Sequence, residues 1–229
     1  MIGYRLISLL IGYIFGLFQT GYIYGKLRKI DIRKHGSGNA GTTNTLRTFG
    51  IKGGLVTLLG DVIKAMLSLL VVWILFHQQA GEDKILLLMG YAGLGAVIGH
   101  NFPFYLKFKG GKGIACTGGF VLAFFWPSTI VPLTIFICTV VVTRYVSLGS
   151  LLGVTALFIQ LVVFGQLGIL PVSKEYLPEL YVVIFMFAAL ALFSHRQNIK
   201  RLFLRTENKL VVKKKGEIHE QTGGNNGKN

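Results

Sequence analysis

Residues 53–76 read GGLVTLLGDVIKAMLSLLVVWILF, an apolar run with only two charged side chains. A helix needs about 20 consecutive apolar residues to cross the hydrocarbon core of a bilayer, and this run is long enough. Its two charges, Asp61 and Lys64, are three residues apart and therefore share one helix face. Because unpaired charges are costly inside a membrane, we expect Asp61 and Lys64 to form a structural ion pair.

The rest of the chain has the same character. Its 229 residues are 52% hydrophobic and 14% charged, with a mean hydropathy of +0.59, whereas soluble domains carry ~25% charged residues. We predict an all-α polytopic membrane protein with seven transmembrane helices, provided that the fourth and fifth apolar runs both cross. The seven runs are 2–23, 53–76, 85–99, 114–126, 129–143, 146–170 and 180–193.

The distribution of basic residues predicts the orientation. If the N-terminus lies outside, 20 of the 24 Lys and Arg residues fall on the cytoplasmic side, as the positive-inside rule requires. A basic face beside anionic lipid headgroups also accounts for the net charge of +15 without a nucleic-acid partner. We predict a membrane domain over residues 1–210 and a disordered, basic cytoplasmic tail over residues 211–229.

Three polar segments then share the predicted cytoplasmic face, and the first is residues 35–47, HGSGNAGTTNTLR. Its glycines free the backbone to turn N–H groups toward an anion, and its arginine adds a planar cation. The alternative is a plain Gly/Ser/Asn turn between two helices. The candidate residues here are Ser37, Gly38, Asn39, Thr43, Asn44 and Arg47.

The second segment is residues 99–113, GHNFPFYLKFKGGKG. Lysines among glycines form an anion cradle, and the helix that follows can present its N-terminus to a phosphate. The alternative is a basic loop that meets lipid phosphates, with its histidine in a structural role. The candidate residues are His100, Lys109, Gly110, Gly111, Lys112 and Gly113.

The third segment is residues 195–202, HRQNIKRL. On a continuing helix His195 and Asn198 share one face, where an imidazole can move protons near neutral pH and an amide can bind a hydroxyl or phosphate. The alternative is an ordinary basic helix end. A turn on the same face adds Ser147 as a weaker candidate.

Metal or cofactor chemistry has little support in the sequence. Cys116 and Cys138 lie in apolar runs without metal-ligand spacing. The cytoplasmic segments before the tail hold only two carboxylates, Asp31 and Glu207, and a metal-dependent phosphotransferase needs a cluster of them. We therefore predict no metal and no cofactor.

The three segments in this order resemble the PlsY family of bacterial acyl-phosphate:glycerol-3-phosphate acyltransferases, and the resemblance runs from end to end of the chain. One departure is that Thr206 precedes Glu207, where the family usually has a glycine. The residues that carry the resemblance are Gly36-Ser37-Gly38-Asn39, Gly41, Thr43-Asn44 and Arg47; Gly99-His100, Pro103 and Phe108 to Gly113; and His195, Asn198-Ile199, Arg201-Leu202 and Glu207.

The resemblance implies a multi-pass enzyme of the bacterial plasma (inner) membrane. It would transfer an acyl group from acyl phosphate to the 1-hydroxyl of glycerol 3-phosphate, giving 1-acyl-glycerol-3-phosphate (lysophosphatidic acid) and phosphate, the first step of phospholipid synthesis. We assign catalysis to Ser37, Arg47, His195 and Asn198, and substrate binding to the other candidates.

A membrane transporter of a phosphorylated anion is the alternative, since it would share the spans and the basic loops. Such a transporter is expected to place its site near the bilayer midplane, often between related halves. The polar candidates cluster at one face instead, and the sequence contains no internal repeat that we detect.

Overall fold

The computed structural model describes residues 1–210, and every regular element in that range is helical. Six helical segments are long and apolar enough to cross a membrane, counted over the described residues. The α-helices are α1 (Ile2–Gly16), α2 (Thr20–Leu27), α3 (Thr42–Ala80), α4 (Glu82–Asn101), α5 (Ile114–Phe124), α6 (Ile130–Thr143), α7 (Val146–Gln166), α8 (Leu177–Ser194) and α9 (Arg196–Phe203), with short 3₁₀ turns at Ile32–Lys34, Phe104–Leu106 and Trp126–Thr129.

The prediction of an all-α polytopic protein is confirmed, while the count of seven spans and the orientation stay predictions. The fourth predicted run forms α5, whose 11 residues are too few to cross a bilayer alone. The first run is broken into α1 and α2, which together make one candidate span. The predicted disordered tail, residues 211–229, lies outside the described residues.

Helix α3 is much longer than the apolar run that predicted it. It covers 39 residues because its first turns extend back into the first polar segment. Gly50 interrupts it with φ 74° and ψ −169°, a conformation open mainly to glycine. This kink separates residues 42–49, most of which belong to the first polar segment, from the rest of α3.

Glycines bring α1 and α4 into backbone contact. A Cβ at Gly12 would lie 1.9 Å from the carbonyl oxygen of Ala92, and one at Gly95 would lie 2.1 Å from that of Leu9. Helix α3 packs on α4 and α5, α6 packs on α7, and α8 joins α4 to α7. A space lies between the α3–α5 pair and the α6–α7 pair.

The predicted Asp61–Lys64 ion pair is confirmed. Lys64 Nζ lies 2.8 Å from Asp61 Oδ1, and both side chains are almost fully buried. The ammonium also lies 2.9 Å from His100 Nδ1 on α4 and donates to the carbonyls of Gly16 and Phe18 beside the break between α1 and α2. The pair therefore ties α3 to two neighbouring elements.

Candidate active site

A cavity of about 390 Å³ occupies the space between the two helix pairs. Its walls are polar at the end where the three polar segments meet and apolar along the helices. The predicted residues that line it are Ser37, Asn39, Thr43, Asn44, Arg47, His100, Lys112, Gly113, Ser147, His195 and Asn198. One cavity thus gathers candidates from all three segments and from the α6–α7 turn.

Three helices begin at the polar end of this cavity. The residues before α3, α5 and α7 are Gly41, Gly113 and Tyr145, and none of them caps its helix with a side-chain hydrogen bond. The first N–H groups of a helix have no intrahelical partner and carry the positive end of the helix dipole. Three such N-termini around one cavity favour the binding of anions.

Asn44 organises the first segment. Its Oδ1 accepts a hydrogen bond from the Ser37 N–H at 2.8 Å. Its Nδ2 donates to the carbonyls of Ile32, His35 and Asn39 at 3.2, 2.9 and 2.9 Å. The Asn44 amide therefore holds the loop in shape, although the sequence placed it among the substrate-binding residues.

Asn39 connects the first segment to the second. Its Nδ2 donates to the Gly110 carbonyl at 3.3 Å, and its Oδ1 accepts from the Gly41 N–H at 3.0 Å. With both asparagines engaged, the segment presents Ser37, Thr43 and Arg47 to the cavity.

Four predicted ligands do not line the cavity, three from the second segment and one from the first. Lys109 is exposed. The Gly110 carbonyl accepts a hydrogen bond from Asn39 Nδ2. The Gly111 N–H donates to the His100 carbonyl at 3.0 Å. Gly111 also packs on the imidazole, since a Cβ there would lie 1.9 Å from His100 Nε2. The fourth residue, Gly38, turns the first segment with φ 72°.

Lys112 is the lysine that reaches the cavity, where its Nζ donates to Asn198 Oδ1. Burial disfavours its charged form and lowers its pKa to about 8; the carboxylate of Glu207 opposes this shift, while the cations of Arg201 and Arg47 add to it. The Lys112 amine is therefore mostly in its charged ammonium form at neutral pH.

Glu207 is the centre of a polar network beside Lys112. Its Oε1 accepts hydrogen bonds from Asn198 Nδ2 at 2.6 Å and Ser147 Oγ at 3.0 Å, and its Oε2 accepts from Arg201 Nε at 2.7 Å. Burial raises the pKa of this carboxyl, but the three donors outweigh it and hold the pKa below its usual value. The network fixes Asn198 and Ser147 at the cavity wall.

His195 ends α8 and is 2% exposed. Its Nδ1 lies 2.8 Å from the Ala191 carbonyl, which places the ring proton on Nδ1 and a lone pair on Nε2. Burial, followed by the nearby Lys112 charge, lowers its pKa to about 4. The imidazole is therefore neutral at pH 7 and accepts hydrogen bonds through Nε2.

The family model described as glycerol-3-phosphate acyltransferase matches residues 6–205. The chain belongs to this family. Two similar proteins, both named glycerol-3-phosphate acyltransferase, are 41% identical over 203 residues in Halalkalibacterium halodurans and 39% identical over 207 residues in Alkaliphilus metalliredigens. These matches cover 88% and 90% of this chain and 93% and 96% of those proteins.

Two crystal structures of PlsY (YgiH), an integral membrane glycerol 3-phosphate acyltransferase, share the fold. The glycerol 3-phosphate form matches with a TM-score of 0.77 and 29% identity, over 90% of this chain and 96% of that one. The lysophosphatidic acid form matches with a TM-score of 0.76 and 29% identity, over 91% and 96%. The membrane fold and the resemblance seen in the sequence are both confirmed.

Two residues that line the cavity, Arg201 and Glu207, were not assigned to the site from the sequence. They were named as part of the family resemblance, and Glu207 also as a cytoplasmic carboxylate, but six residues separate them and helical spacing does not bring them together. A turn at Arg205, with φ 57°, carries the chain back after α9. There the carbonyl of Asn208 accepts a hydrogen bond from Arg47 Nη2 at 3.2 Å. The family motif was the one signal for these residues.

One group of possible metal ligands exists among residues 1–210. Ligand atoms of Asp61, His100 and Cys116 lie within 4.8 Å of one another. The Lys64 ammonium already contacts both Asp61 and His100, at 2.8 and 2.9 Å. A cation of the protein's own thus occupies this position, and the group does not fit a metal site.

Proposed function

We propose that this chain transfers an acyl group from acyl phosphate to the 1-hydroxyl of glycerol 3-phosphate. Acyl transfer to glycerol 3-phosphate is the activity of its family, and acyl phosphate as the donor is our assignment. The observation that carries the assignment is the two-part cavity. Its polar end suits phosphate groups and its apolar end suits an acyl chain.

The polar end has the means to hold two phosphates. Three uncapped helix N-termini surround it, and Arg47 and Lys112 add side-chain cations. We assign the acyl phosphate to Ser37, Thr43 and Arg47, and the phosphate of glycerol 3-phosphate to Lys112 with the first turn of α5. Such preorganised donors are worth most where charge develops during the reaction.

The reaction is a direct displacement. The 1-hydroxyl oxygen attacks the acyl carbonyl carbon, the new ester bond forms, and the bond from that carbon to the phosphate oxygen breaks. Arg47 balances the charge that develops on the departing phosphate, since a guanidinium binds phosphate oxygens bidentately. An acyl phosphate already has a good leaving group, so holding both substrates in line supplies much of the acceleration.

His195 positions the attacking hydroxyl, together with the Lys112–Asn198–Glu207 network. Its neutral Nε2 accepts the hydroxyl hydrogen bond. With a pKa of about 4, the imidazole is a weaker base than the departing phosphate, whose dianion takes up a proton at higher pH. We therefore assign the proton finally to a phosphate oxygen.

We further propose that the protein lies in the bacterial plasma membrane with its N-terminus outside and its site at the cytoplasmic face. The support is the position of 20 of the 24 Lys and Arg residues on that side. A reporter that works only in the cytoplasm should be active when it is fused after Asn229. Activity of a reporter that works only outside the cytoplasm, fused at the same place, would reverse the assignment.

Purified protein tests the donor directly. Palmitoyl phosphate and labelled glycerol 3-phosphate should give labelled lysophosphatidic acid and one phosphate per product, while palmitoyl-CoA should give none. Product from palmitoyl-CoA at an equal rate would refute acyl phosphate as the donor. Activity lost in chelator and restored by magnesium would refute the metal-free mechanism.

A further inference from the structure

The apolar end of the cavity contains one glycine that helix packing does not explain. Gly118 lies in the middle of α5 and lines the cavity. Of the heavy atoms in residues 1–210, none lies within 4 Å of a Cβ built at Gly118, outside its own helix backbone and chain neighbours. Its φ is not positive, so the backbone does not require glycine either.

The adjacent glycine has an ordinary structural explanation. A Cβ at Gly119 would lie 2.2 Å from the carbonyl oxygen of Val62, so only glycine allows α5 to pack this closely on α3. The two neighbours thus face different surroundings. Gly119 faces a helix, and Gly118 faces open space in the cavity wall.

The position of Gly118 along the cavity matters for an acyl chain. Gly113, at the polar end, precedes Gly118 by five residues, which is about 7.5 Å along the helix axis. Lining residues continue beyond it to Leu122 on α5 and Leu157 on α7. A long chain anchored by its phosphate at the polar end must pass Gly118 to fill the far part of the cavity.

We propose that Gly118 determines the acyl-chain length that the enzyme accepts, by leaving the passage open for long chains. This inference rests on the proposed function, because the occupant is the acyl chain of that substrate. A side chain at residue 118 would fill the passage and exclude chains that extend past it. Acyl chains that end before they reach residue 118 would remain substrates.

The test compares palmitoyl phosphate with butanoyl phosphate, whose chain is much shorter. In Gly118→Leu we expect kcat/KM for palmitoyl phosphate to fall on the order of tenfold or more, and that for butanoyl phosphate to stay within about twofold. The matched control is Gly3→Leu on α1, where an added Cβ also meets no atom of residues 1–210 within 4 Å but which does not line the cavity. This control should keep the wild-type ratio of the two kcat/KM values.

Gly118→Ala keeps the test decisive if the leucine variant does not fold. Alanine is a better helix former than glycine and has room for its Cβ, so we expect a folded protein with a palmitoyl-to-butanoyl ratio about two- to threefold below wild type. An unchanged ratio in this variant, or an equal loss of both substrates, would overturn the inference. If wild-type protein makes no product from either acyl phosphate, the proposed function itself fails.

Discussion

Asp61 and Glu207 are both buried carboxylates beside a cation, but the chain assembles them in different ways. Asp61 meets Lys64 three residues later on the same helix. Glu207 meets side chains from α7 and α9, and the nearest of these in sequence is six residues away. A local pair holds helices together beneath the polar segments, whereas the long-range network shapes the cavity wall.

The difference teaches that burial and charge pairing alone do not mark a catalytic group. The Lys64 ammonium is surrounded by Asp61, His100 and backbone carbonyls. By contrast, the Glu207 network includes Lys112 through Asn198. Asp61 and His100 also line the cavity, but Lys64 does not, whereas Lys112 does. We therefore expect changes at Asp61 to act on stability and changes at the network to act on catalysis.

The largest effect should come from breaking the local pair. Asp61→Asn leaves the Lys64 ammonium buried without its counter-charge, which typically costs about 3–5 kcal/mol of stability. The measurement is the thermal unfolding midpoint of the protein in detergent. Asp31→Asn is the control, because its pair with Arg33 is partly exposed and exposed pairs contribute little. If Asp61→Asn melts at the wild-type temperature, the structural role of the pair is refuted.

Arg47→Ala should have the next largest effect, and on turnover. Loss of a charge-stabilising group at the departing phosphate is worth about 2–4 kcal/mol, on the order of 10²-fold or more in kcat. Arg47→Lys should restore little, since an ammonium lacks the two-pronged geometry. Steady-state kinetics check this, with exposed Lys34→Ala as the control. Near-wild-type turnover in folded Arg47→Ala would mean that the first segment is only a turn.

Glu207→Gln tests the network itself. Hydrogen bonds to charged groups contribute about 1.5–3 kcal/mol, so we expect kcat/KM to fall by about 10- to 100-fold while the melting temperature changes less than in Asp61→Asn. The exposed Glu175→Gln serves as the control. A variant that loses stability but retains kcat/KM would place Glu207 with Asp61 as a structural carboxylate.

The lowered pKa of Glu207 predicts how the stability of the protein depends on pH in acid. The folded-state pKa of Glu207 lies below its usual value, so its contribution to stability is complete above the unfolded-state pKa and is lost as the pH falls through the folded-state pKa. Wild-type protein should therefore lose stability in acid more steeply than Glu207→Gln. Parallel curves of melting temperature against pH would contradict this.

The smallest effect concerns Lys112 at alkaline pH. Its pKa of about 8 means that the ammonium is lost above pH 8, so kcat/KM for glycerol 3-phosphate should fall about tenfold per pH unit there. Lys112→Arg should move this decline to higher pH, because a guanidinium stays charged. The exposed Lys107→Arg should leave it in place. A decline at the same pH in Lys112→Arg would assign it to another group.

The sequence predicted what depends on local patterns. The length of the apolar runs predicted the membrane helices, and a spacing of three residues predicted the Asp61–Lys64 ion pair. It did not predict contacts that residues make within the loops themselves: Asn44 holds the first segment, and Gly111 packs on His100. The Glu207 network depends on a turn after α9 that no periodicity encodes.

The convergence of three uncapped helix N-termini has a consequence for mutational mapping. Alanine scanning removes side chains but leaves every backbone N–H in place, so much of the phosphate recognition would survive it unseen. A scan of this enzyme would thus underestimate the number of positions that contact substrate. Replacing single amides by esters at the first turns of α3, α5 and α7, by chemical or suppressor-based synthesis, would reveal those contacts one hydrogen bond at a time.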